Sequence, residues 1–148
     1  MTTISAFMTD DHRACDERLA DVETQVGAGR WPAAQAAWRD FERAIRCHFA
    51  REEELLFPAF ERATGQAGGP TMVMRMEHDQ MRALFAQLET ALGGADRDRF
   101  LGLSETLMVL MQQHNMKEEQ ILYPMSERVV AGAERLLDQI VAREPDQV

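Results

Sequence analysis

An eleven-residue pattern occurs twice in this chain at a constant offset. HFAREEELLFP at 48–58 is matched 66 residues later by HNMKEEQILYP at 114–124, and both read H-x3-E-E-x2-L-[F/Y]-P. The flanks continue the match: His12 pairs with His78, Gly27 with Gly93, Phe41 with Leu107, and Glu61-Arg62 with Glu127-Arg128. All four histidines of the chain fall into the repeat. A fold built on this sequence must therefore present two similar halves, each with a histidine pair and a glutamate one helical turn after the second histidine.

The halves read as helical hairpins. β-branched residues are sparse and no period-2 run stands out, whereas Ala, Leu, Met, Glu, Arg and Gln fill long segments. Three glycine-containing turns, GAGRWP (27–32), GQAGGP (65–70) and GGADRD (93–98), divide the chain into helices over about 3–26, 32–64, 71–92 and 97–125. A shorter amphipathic stretch near 127–143 ends before Pro145. The expectation is one all-α domain over 1–148: an up-down-up-down four-helix bundle with core 3–125 and a short C-terminal helix.

Apolar stripes at helical spacing mark the faces that meet. They are Ile4, Met8, Cys15, Leu19, Val22 and Val26; Trp38, Phe41, Ile45 and Leu55; Met74, Met81, Phe85, Leu88 and Leu92; and Leu103, Leu107, Leu110, Met111, Ile121 and Met125. Pro58 is expected to kink or end the second helix, leaving 58–70 as an excursion at one end of the bundle, and Pro124 to act likewise.

Polar residues interrupt these stripes at matching heights. His12 to His48 and His78 to His114 each span 36 residues, with midpoints at Arg30 and Asp96 inside turns. At about 1.5 Å per residue in antiparallel helices, the two histidines of a pair lie level. His12 falls between Met8 and Cys15, His48 and Glu52 between Ile45 and Leu55, His78 between Met74 and Met81, and His114 and Glu118 between Met111 and Ile121. Burying such groups without partners costs roughly several kcal/mol each. A lone core histidine, or a lone H-x3-E on a surface, needs no special account; four levelled histidines with two glutamates do.

A bound metal supplies it, since imidazole nitrogen and carboxylate oxygen are ligands of first-row cations. A structural zinc site would be closed and tetrahedral, often with cysteine. Two glutamates reaching the centre from opposite hairpins are instead placed to bridge two ions. Iron fits this donor set best and manganese next. The order also differs from ferritin-like sites, which use Glu-x-x-His.

The pattern H…HxxxE…H…HxxxE, met by His12, His48, Glu52, His78, His114 and Glu118, resembles the hemerythrin-like, or HHE cation-binding, family over residues 4 to about 130. That resemblance implies a four-helix bundle with an oxo- or hydroxo-bridged di-iron centre. It places one iron on His12 and His48 and the other on His78 and His114, with Glu52 and Glu118 shared. Oxygen-carrying hemerythrins have a further histidine one turn after the third, and this chain has Arg82 there. The centre is therefore expected to be more open and more symmetric, with about one free position per six-coordinate metal. That openness suits O2, NO or peroxide as partners in an oxidative or nitrosative stress response, and argues against simple oxygen carriage. The competing reading is a non-catalytic protein for iron sensing, handling or delivery.

Other residues near the centre take plainer roles. Asp16, the repeat mate of Arg82, is expected to pair with it behind the ligands rather than bind metal. Glu53 and Glu119, rotated about 100° from the glutamates before them, read as solvated or supporting groups. Tyr123 reads as lying near the opposite face from Glu118 and aligns with Phe57. Cys15 and Cys47 read as small apolar residues, and the ten methionines as adaptable packing.

Composition excludes some settings. A net charge of −9 with a pI near 4.9, and cations scattered among acidic residues, disfavour nucleic acid as a partner. No window has the roughly 20 apolar residues of a membrane span. Two cysteines give no disulfide framework, and MTTISAFMTDDHR lacks the features of a signal peptide, so a reducing cytoplasm is the expected location.

Overall fold

Helix ends lie where the sequence satisfies their free backbone groups. Thr3 accepts a hydrogen bond from the Ala6 N–H and starts α1, Ile4–Gly27. Pro32 lies in the first turn of α2, Trp31–Ala50, where no N–H is needed. After a turn closed by Gly65 at φ 70°, Pro70 opens α4, Pro70–Gly93, and the Asp96 carboxylate accepts from the Arg99 N–H to start α5, Arg97–Lys117. These elements belong to a computed structural model that describes residues 2–146, with no strand among the described residues.

The duplicated motif does not remain α-helical. Arg51–Leu56 and Glu118–Leu122 each form a π-helical turn, closed by the Phe57 N–H to the Glu52 carbonyl and by the Tyr123 N–H to the Glu118 carbonyl. The prolines account for both. Pro58 and Pro124 lack an N–H and crowd the preceding turn, and widening that turn lets the rod continue. It continues as α3, Phe57–Thr64, and as α6, Tyr123–Val129. The expected break at Pro58 is therefore a local widening, and only 65–69 leave the rod.

Widening has a consequence for the apolar stripes. Leu55 is only partly buried and Ile121 is 56% exposed, whereas their successors Leu56 and Leu122 are buried. Straight α-helical spacing placed the wrong member of each pair in the core. Upstream, where the helices are regular, Ile4, Met8, Cys15, Leu19, Trp38, Phe41, Ile45, Met74, Met81, Leu107 and Met111 are buried as their spacing requires.

Packing follows the hairpins. α1 lies along α2 and α4 along α5, and the hairpins join through α1–α5 and α2–α4, so α1 and α4 stand diagonally across the bundle. The core has two apolar halves. One holds Leu19, Val22, Trp38, Phe41, Phe85, Leu88, Phe100 and Leu107. The other holds Ile4, Met8, Leu56, Phe57, Phe60, Leu122 and Tyr123, and there Leu136 and Ile140 of α7, Ala133–Ala142, complete the packing. No helix of the described residues is long and apolar enough to cross a membrane.

Candidate metal centre

Between the apolar halves lies a buried polar layer. His12, His48, Glu52, His78, His114 and Glu118 are each at most 3% exposed. The rings pair across each hairpin, with centroids 4.4 Å apart for His12 and His48 and 5.0 Å for His78 and His114, so the equal 36-residue intervals do set the histidines level.

Each imidazole is oriented by a carboxylate at its outer nitrogen. Nδ1 of His12 lies 2.7 Å from Glu119, that of His48 2.9 Å from Asp11, that of His78 2.7 Å from Glu53 and that of His114 2.8 Å from Glu77. An ionised carboxylate only accepts, so Nδ1 carries the proton and Nε2 faces the centre. Three of these carboxylates are held by a cation: Asp11 by Arg51, Glu53 by Arg82 and Glu77 by Lys117. Glu119 has no such partner among the described residues, because Asp16 occupies the position equivalent to Arg82.

The inward atoms fit a metal better than they fit one another. Nε2 of His78 and Nε2 of His48 lie 3.0 and 3.5 Å from Glu52 Oε1, and Nε2 of His114 lies 3.2 Å from Glu118 Oε1. None of these contacts has hydrogen-bond geometry, and those three nitrogens, Glu52 Oε1 and Glu118 Oε2 are buried without a partner. Orphaned buried donors and acceptors on this scale are unusual in a folded protein. Two sets of four ligand atoms, from His12, His48, Glu52 and Glu118 and from Glu52, His78, His114 and Glu118, lie within 4.8 Å of one another. Both glutamates belong to both sets.

The electrostatics are those of a cation site. Burial opposes charge on His12 and His78, but the adjoining Glu118, Glu119, Glu52 and Glu53 carboxylates outweigh it and raise both imidazoles to about 9. Burial likewise opposes ionisation of Glu118, yet Glu52, His114 and His12 hold it well below the ordinary value. Burial pushes the Cys15 thiol well up, in keeping with its plain packing role.

Three expectations change. Asp16 and Arg82 do not pair: α1 and α4 stand diagonally, so Arg82 turns to Glu53 and Asp79, while Asp16 accepts from Gln112 at 3.4 Å. Asp16 is in neither four-ligand set. Tyr123 is not on the far face from Glu118. Its hydroxyl donates to Glu52 Oε2 at 2.7 Å and lies 3.1 Å from both Glu118 Oε1 and His12 Nε2. In an i→i+5 turn the fifth residue returns to the same face, which α-helical spacing misplaces. Phe57, the repeat mate of Tyr123, has no hydroxyl and stacks on His78 at 5.6 Å, so the two halves are not equivalent. Reading by residue type also passed over Asp11 and Glu77, although an acidic residue immediately precedes the first histidine of each repeat.

A four-helix bundle whose buried polar layer consists of metal-ligand side chains is a helical metal-binding domain. The hemerythrin HHE cation binding domain model matches residues 3–126, and the chain belongs to that family. No curated protein and no solved structure matches the chain.

Proposed function

We propose that this protein holds two iron ions, one on His12 and His48 and one on His78 and His114, with Glu52 and Glu118 shared, and that the centre reacts with O2, NO or peroxide. The observation that carries this is the pair of buried four-ligand sets with two carboxylates in common. Manganese suits the same ligands less well, because imidazole-rich sites favour iron over it.

Such a centre, held by these six side chains, would supply redox equivalents to a small ligand. The chain's own residues do the rest. Asp11, Glu53, Glu77 and Glu119 fix the imidazoles with Nε2 inward. Tyr123 places one hydroxyl proton against Glu52, at the edge of His12. Apolar layers above and below exclude bulk water, which strengthens every charge interaction inside.

Purified protein loaded with iron should carry two ions per chain and change its visible spectrum on exposure to O2, NO or H2O2. Two bound irons with no spectral change and no consumption of any of the three would leave the reactive reading without support. Reversible iron exchange coupled to folding would then favour the handling or delivery reading.

A further inference from the structure

The two outer faces of the centre are closed differently, although the chain builds them from the same repeat. Between α1 and α5 a polar cavity of about 310 Å³ reaches His12, with Asp16, Gln112, Asn115 and Glu119 on its walls. The equivalent positions on the α2–α4 face, 66 residues away, are Arg82 for Asp16, Arg46 for Gln112, Phe49 for Asn115 and Glu53 for Glu119. There the Phe49 ring stacks on His78, with centroids 3.9 Å apart, and the Arg82 guanidinium covers Phe49 at 5.2 Å while binding Glu53. The hollow on that side, about 280 Å³, has Phe49 among its lining residues and does not reach His78.

From this asymmetry we propose that the α1–α5 cleft is the entrance by which divalent metal ions reach and leave the centre, and that the closed Phe49–Arg82 face is not. The inference rests on the metal-centre reading above. Its chemistry suits a cation. Among the described residues, Asp16 Oδ1 is buried without a hydrogen-bond partner and Glu119 has no Lys or Arg partner, and Gln112 and Asn115 add neutral oxygens that can replace water around an ion in transit. The one cation on the cleft wall, Arg13, is 72% exposed and pairs with Asp10. Asp16 and Glu119 thus leave the mouth negative at the only imidazole of the four whose outer carboxylate lacks a cation.

Transplanting the closed face tests the entrance. Asp16→Arg alone, and Asp16→Arg with Asn115→Phe, should slow cobalt(II) uptake by metal-free protein at least about tenfold, as expected when a charged approach is reversed. The charge-neutral plug Asn115→Phe alone should slow uptake and chelator removal of cobalt by the same factor, with two ions per chain at equilibrium and an unchanged dissociation constant. A plug acts on both directions equally, whereas a change at the ligands would shift the dissociation constant. Glu42→Gln, on the closed face, should leave both rates as they are. Folded Asp16→Arg protein with wild-type uptake and release rates would overturn the entrance while leaving the metal centre intact. Wild-type protein that takes up no cobalt would instead remove the centre, and the entrance with it.

Discussion

The hydroxyl of Tyr123 and the carboxylate of Glu52, 71 residues apart in sequence, meet at 2.7 Å in the middle of the bundle. Tyr123 directly follows the π-turn Glu118–Leu122, five residues on from Glu118, so one widened turn brings both a carboxylate and a phenol to the same point. Burial, and then the nearby Glu118 and Glu52 charges, push the phenol well above its ordinary range, which keeps it a donor. Tyr123→Phe copies the residue that the other repeat already uses at this position. It should fold and keep both metals, but leave a buried carboxylate oxygen without its donor. The expected loss is about 1–3 kcal/mol in metal-free protein, read by denaturant unfolding. An unchanged unfolding midpoint would mean that this hydrogen bond contributes nothing.

How far the sequence could be read follows from where its period holds. The helices, the hairpin turns and the six inward residues were legible, because each rests on regular 3.6-residue spacing or on the 66-residue repeat. Leu55, Ile121 and Tyr123 were misplaced together, and by one cause: each follows the first glutamate of a π-turn, after which α-helical bookkeeping runs one residue out of step. The signal was present in Pro58 and Pro124, whose missing N–H must be accommodated somewhere upstream. The Asp16–Arg82 pairing failed differently. Repeat mates lie on diagonal helices, where a twofold relation separates them instead of bringing them together.

Replacing Glu52 or Glu118 by Ala tests the sharing of these carboxylates. Each lies in both four-ligand sets, so one substitution should lower the affinity of both metal positions at once, and metal analysis after gel filtration should find well under one ion per chain. Glu54→Ala, on an exposed side chain in the same turn, should leave two. Retention of two full-occupancy ions by either core variant would show that the glutamates are not shared ligands.

The metal-free protein should lose stability as the solution becomes alkaline. Burial disfavours charge on His12 and His78, but the neighbouring carboxylates raise both to about 9 from an ordinary 6.5. The folded state therefore binds more protons than the unfolded one in that interval. Their contribution is complete below 6.5 and is lost as pH rises through 9. Glu53 acts in the opposite sense. Burial opposes its ionisation, but His78 and Arg82 lower it to about 2, so its contribution is present above 4.5 and fades as pH falls toward 2. Denaturant midpoints should be highest between these windows. Metal loading should remove the alkaline decline, because a bound cation takes the place of the imidazole protons. Equal midpoints at pH 6 and 9 in metal-free protein would contradict this.

The turn between α4 and α5 carries strain that its repeat mate avoids. Ala95 sits at φ 51°, in the left-handed region, where the other hairpin has Gly29 at φ 71°. A side chain there costs roughly 1–2 kcal/mol, against about 0.5–1 kcal/mol of extra chain entropy for glycine. Ala95→Gly should therefore stabilise the protein by about 0.5–1 kcal/mol, seen as a higher thermal midpoint. A lower midpoint would indicate that the methyl group has a compensating contact.

Arg51 ties the C-terminal helix to the centre. Its Nη1 donates to Asp11 Oδ2 at 2.9 Å, and its Nε donates to the Ile140 and Arg143 carbonyls at 3.0 and 3.1 Å. Those carbonyls lie at the C-terminal end of α7, where the helix dipole favours a cation. Asp11 in turn accepts from His48 Nδ1, so one guanidinium supports both the docking of α7 and the orientation of a candidate ligand. Arg51→Met keeps the stem but removes every one of these hydrogen bonds, leaving Asp11 largely buried with one neutral donor. The expected cost is about 2–3 kcal/mol, below that of a fully buried pair because Arg51 is 11% and Asp11 17% exposed. Hydrogen exchange should locate the loss: amides of 133–142 should lose protection together with those around His48, while the Trp38 end of the bundle keeps its own. Loss of protection confined to α7 would show that Arg51 docks the helix without supporting His48.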